Sequence, residues 1–179
     1  MAHYSSFTAH SSEASPVQTQ TTQPALSWYE VPESIKQLLL SAAENWEDTA
    51  RSEQYLHQAL AQADIPLDVL VAAYRYFFYK SNNQMALQMA QQVIDRVKVT
   101  EQLPDRWEDL KPILLTRKEE PNIRLFLNAY AASGFVYARL GELEQAKEIT
   151  ANVSEIDDRK EFGAAVVLDV LTRSPDEDD

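Results

Sequence analysis

The chain has 179 residues, enough for one domain with its own hydrophobic core. It has only 3 glycines and no cysteine, which disfavours turn-rich β folds and excludes disulfides, thiolate catalysis and cysteine-held metal. A net charge of -12 repels phosphate backbones and anionic lipid, so nucleic acid and membrane surfaces are poor partners.

Residues 1–27 are rich in Ser, Thr, Gln and Ala and read as a disordered polar tail. They lack the basic start and apolar run of a secretory signal, and no run approaches a membrane span, so the expectation is a cytoplasmic protein. A single domain is expected over 28–173, followed by an acidic tail at 174–179.

Within the domain, prolines delimit segments whose apolar residues recur at helical spacing. Ile35, Leu38, Leu39, Ala42, Ala43 and Trp46 form one stripe; Leu56, Ala59, Leu60 and Ala63 form a second. Leu67, Leu70, Val71, Tyr74 and Phe78 predict a third helix ending near Ser81, and Ala86, Met89, Ala90, Val93, Ile94 and Val97 a fourth. The stretch 98–123 reads as irregular. The helical period then returns from Leu127 to Ala138 and from Leu143 to Ile156. A last helix is expected over 158–172, capped by Asp158 with Glu161 three residues on. The expected class is all-α, built from helix pairs.

Gly134, Tyr137, Gly141 and Ala146 carry the spacing of a tetratricopeptide repeat. In that register Ser52 and Ala86 occupy the place of Ala146, where two helices cross closest. Ser52 and Ala86 are 34 positions apart, one period; Ala86 and Ala146 are 60 apart, one period plus an insertion of 26 at about 98–123. The chain therefore resembles a tetratricopeptide-like α-solenoid of about three helix pairs with a capping helix.

Catalytic candidates are few. His3 and His10 lie in the polar tail, and His57 has only Glu53 on its helical face, so neither a catalytic residue nor a metal ligand set is expected. Glu119-Glu120 and Asp157-Asp158 read as solvated or capping carboxylates, and no cofactor motif is present. Binding residues are better represented. The run from Tyr74 to Lys80 places aromatics around a whole helix, most of them expected in the core. In the repeat register Val71, Arg75, Phe78 and Tyr79 face a concave groove with Asn128, Ala131, Phe135 and Arg139, and with Gln37, Ser41 and Glu44. Aromatics with arginine make binding hot spots. Trp107, in the insertion, either plugs the solenoid or touches a partner. Relatives that clamp the acidic tails of cytosolic chaperones use a Lys and Asn pair in the first unit and basic residues in the third, where this chain has Gln37, Ser41, Asn128 and Ala132, so that role is not expected.

VPESIKQLLLSAAENWEDTARSEQYLHQALAQA, LVAAYRYFFYK and FLNAYAASGFVYARLGELEQAKEI together resemble the nitrogenase-associated factor T family of nitrogen-fixation gene clusters. The resemblance implies a non-catalytic cytoplasmic factor that binds the molybdenum-iron protein of nitrogenase and assists its maturation or protection. A chaperone for a secretion substrate is the alternative.

Overall fold

The computed structural model describes residues 31–173; Trp28, His3, His10 and the two expected tails lie outside them. The described residues form helices α1 (Glu33–Glu44), α2 (Thr49–Leu60), α3 (Leu67–Tyr79), α4 (Asn83–Glu101), α5 (Trp107–Arg117), α6 (Pro121–Leu140), α7 (Leu143–Ile156) and α8 (Ala164–Thr172), with no strand among them. Neighbours in the chain pack on one another: α1 on α2, α3 on α4, α6 on α7 and α7 on α8. The exception is α5, which α4 bypasses to pack on α6.

Two turns share one geometry. After α3, Ser81 takes φ +58° and Asn82 N–H donates to the Phe77 carbonyl at 2.9 Å; after α6, Gly141 takes φ +81° and Glu142 N–H donates to the Tyr137 carbonyl at 2.9 Å. A left-handed residue followed by a bond reaching back five positions ends a helix sharply and sends the chain back along it. The next helix is capped at Asn82, whose side chain accepts from Met85 N–H, as Asp48 accepts from Arg51 N–H at the start of α2.

Small residues let the helices approach. Ser52, Ala86 and Ala146 are all buried. Ser52 is tolerated there because its hydroxyl donates to the Ala42 carbonyl of α1 at 2.6 Å. Across from α7, a Cβ on Gly134 would sit 3.0 Å from Ile149 Cγ2. The main core gathers Leu70, Phe77, Val93, Leu114, Phe126 and Leu127 from α3 to α6, while Val31, Ile35, Ala59 and Val69 make a separate cluster under the first hairpin.

Two expectations are corrected. The stretch 98–123 is mostly helical: α4 runs on to Glu101, and α5 forms around an internal Pro112. Proline read as punctuation concealed it: Pro112, in the middle of α5, is exposed and removes only one backbone donor. Arg117 ties α5 in place, pairing with Glu101 and, at 2.6 Å, with Glu120, while Asn122 donates to Glu101 at 2.6 Å. The last helix begins at Ala164, not Asp158. Left-handed Lys160 and Gly163 break the backbone there, and Asp157 is the residue that orders the loop, accepting from Glu161 N–H and Phe162 N–H, both at 2.8 Å. Asp158 instead pairs with Lys118 at 2.8 Å, and Glu161 with Arg124 at 2.8 Å. Asp157→Ala should cost about 1–2 kcal/mol, as loss of a helix cap does, and should speed hydrogen exchange at the Glu161 and Phe162 amides.

Hydrogen bonds from Asn122 and Arg117 hold Glu101 below its ordinary carboxylate value of 4.5, and Lys118 and Arg124 do the same for Asp158 and Glu161. A carboxylate depressed in the folded state stabilises it above the unfolded value, and that contribution is lost as pH falls through the folded one. Thermal melts should therefore show falling stability as pH drops below about 4.5, with a shallower fall in Glu101→Gln. An unchanged acid slope in that variant would remove Glu101 from the groups responsible.

Candidate concave binding groove

Helix α3 is aromatic on every face, so its neighbours decide which rings remain accessible. Tyr74, Tyr76 and Phe77 are buried; Phe78 is half-buried, and Tyr79 is 73% exposed. The exposed side opens into a groove of about 470 Å³. One wall is Tyr74, Arg75, Phe78 and Tyr79 of α3; the other is Asn128, Ala131, Ala132 and Phe135 of α6, with Phe162 between α7 and α8 closing one end. A second hollow of about 330 Å³ lies on the α1 side, lined by Leu39, Ala42, Ala43, Trp46, Leu56, Ala72 and Tyr76. Arg75 and Tyr79 line both.

Cations stack on the rings of these hollows. Arg139 Cζ stands 4.2 Å from the Phe78 ring centroid, and its Nη1 donates to the Phe78 carbonyl at 3.2 Å. Lys80 Nζ stands 4.3 Å from the Trp46 ring centroid and donates to the Trp46 carbonyl. Arg75 Cζ lies 5.9 Å from the Tyr74 ring. Trp46 in turn meets Tyr76 edge to face at 5.2 Å. Such stacking fixes the long side chains and leaves N–H donors free for a ligand.

The structure thus brings Arg75, Phe78, Tyr79, Asn128 and Phe135 together, with Ala131 between them and Arg139 held at Phe78. Val71 does not join them. It is 1% exposed and belongs to the main core, one turn before α3 emerges from its neighbours. Gln37, Ser41 and Glu44 line neither hollow. Trp107 lies elsewhere: its indole N–H donates to Glu155 of α7 at 3.3 Å and its ring lies 6.2 Å from Tyr130 of α6. It packs α5 against α6 and α7.

Sequence reasoning missed Trp46, Lys80 and Phe162. A signal for the first two was present, since Lys80 and the Trp46 carbonyl that it bonds are 34 positions apart, the same separation as Ser52 and Ala86. Phe162 was expected on a helix, and the misplaced start of α8 hid it. His57 is exposed on α2, its ring 5.8 Å from Phe77; no three His, Asp or Glu side chains among the described residues gather where they could hold a metal ion. The groove offers aromatic faces, an amide and guanidinium groups, which suit recognition of polypeptide.

Among the described residues no helix is long and apolar enough to cross a membrane. No protein-family model and no solved structure matches the chain. A relative from Azotobacter chroococcum mcd 1, named as an uncharacterized 19.8 kDa protein in the nifW 5′ region, is 33% identical over 132 residues, covering 73% of this chain and 74% of the relative. At that identity and coverage, this chain belongs to the family of the nifW 5′-region protein.

Proposed function

We propose that the chain is a tetratricopeptide-type, non-catalytic cytoplasmic factor that binds the molybdenum-iron protein of nitrogenase and assists its assembly, maturation or protection. The observation that carries the binding role is the groove between α3 and α6, with exposed Tyr79, Phe78 and two ring-stacked arginines on a rigid scaffold. The repeat reading is supported by helix caps 34 positions apart at Asp48 and Asn82, and by turns 60 apart at Ser81 and Gly141. The nitrogenase assignment is supported by the family's link to a nitrogen-fixation gene region.

The test is a tagged pull-down from nitrogen-fixing cells with mass spectrometry, comparing the wild type with Arg75→Glu/Tyr79→Ala. Both residues are exposed, so the double variant should keep its helicity and melting temperature while losing nitrogenase. Recovery of nitrogenase by both proteins would move the contact away from the groove. If nitrogenase is absent and other clients are enriched by the wild type, the nitrogenase assignment fails and a chaperone or adaptor for another client, such as a secretion substrate, takes its place.

A further inference from the structure

We infer that the two hollows together take an acidic polypeptide segment with a large apolar anchor, carried by the protein partner. The inference deepens the binding role proposed above and rests on it.

The charge distribution is the starting point. The chain carries 28 Asp and Glu against 16 Lys and Arg, yet among the described residues no carboxylate lines either hollow. Arg75 lines both, Lys80 stacks on Trp46 and Arg139 on Phe78, and none of the three has a carboxylate partner among the described residues. Arg117 and Lys118 each hold at least one, and so does Arg124, which stacks on Phe162 at the end of the groove. In so acidic a protein, cations beside hollows that no described carboxylate lines make an island of positive potential.

Stacking determines what these cations can do. Ring contact holds each one in place, and the hydrogen bonds that Lys80 and Arg139 make among the described residues go to backbone carbonyls, which leaves most of their donors unspent. A carboxylate arriving there gains charge-assisted hydrogen bonds without first displacing a counter-charge of the protein, whereas a basic segment is repelled. The α1-side hollow, lined almost wholly by apolar groups and by Trp46, suits an aliphatic or aromatic anchor adjoining those carboxylates. The cations come from the end of α3 and the end of α6, not from the positions of Gln37, Ser41, Asn128 and Ala132 that serve chaperone-tail binders.

Fluorescence anisotropy on the full chain tests this, with a labelled peptide carrying glutamates around a central leucine-tryptophan pair. Two controls replace the glutamates by lysines or by serines. The glutamate peptide should bind, with affinity falling ~tenfold as NaCl rises from about 50 to about 300 mM. Binding should fall by more than ~tenfold in Arg75→Gln/Arg139→Gln and recover in Arg75→Lys/Arg139→Lys, with circular dichroism unchanged in both. Equal or tighter binding of the serine or lysine peptide would overturn the inference, as would absence of binding by the wild type or indifference to the glutamine substitutions. The pull-down separates this from the wider reading. Nitrogenase captured equally by wild type and the glutamine variant refutes the acidic-segment inference alone; glutamate-peptide binding without nitrogenase capture refutes the nitrogenase assignment alone.

Discussion

Phe77→Ala is expected to destabilise the protein by about 3–5 kcal/mol, measured by urea denaturation. Phe77 is 0% exposed, among the largest fully buried side chains, and its ring meets Tyr76 edge to face at 5.3 Å and His57 at 5.8 Å. It therefore joins α2 to α3, which otherwise touch lightly, and anchors α3 in the core shared with α4 and α6. Truncation removes the ring's transfer energy and leaves a cavity that three packed helices cannot close. Against a total of about 5–15 kcal/mol for a domain, that is roughly a fifth of the stability or more. Partner binding should fall with the fold, unlike in Arg75→Glu/Tyr79→Ala, where binding should fall alone. A loss below about 1 kcal/mol would mean that α3 is not held through Phe77.

Ala146→Leu should cost about 1–3 kcal/mol by overpacking. Ala146 is 0% exposed on α7, the helix packed on α6, and at this interface the space is already filled: Gly134 has no room for a methyl group without pressing on Ile149 and Thr150. Three added carbons must push α7 away from α6, and α8, which packs on α7, should move with it. Hydrogen exchange would localise the damage, with amides of α6 to α8 losing protection before those of α1 and α2. A neutral result would remove Ala146 from the close crossing and with it the register that relates it to Ala86 and Ser52.

The helices were largely legible in the sequence because burial repeats every three to four residues, and that period needs no knowledge of the partner. Ile35 and Ala42, Leu56 and Ala59, and Met89 and Val93 are buried where the stripes placed them. Legibility failed where a residue's usual local meaning was overridden. Pro112 sits inside α5 because the helix exposes it, and Asp158 caps nothing because Asp157, one residue earlier, holds the loop amides. The groove was partly legible: Arg75, Phe78, Tyr79, Asn128 and Phe135 line it, whereas Val71 shares their register and is buried.

The sequence by itself determined the helical class, the pairing of α3 with α4 and of α6 with α7 through short turns, and the acidic charge, all of which follow from residue spacing and composition. Only the tertiary structure decided which aromatics of α3 reach solvent, that Lys80 and Arg139 lie over Trp46 and Phe78, and that no carboxylate among the described residues lines the hollows beside α3. Those facts depend on how far each helix is covered by elements 34 to 61 positions away in the chain, and side-chain periodicity along one helix carries no information about that cover.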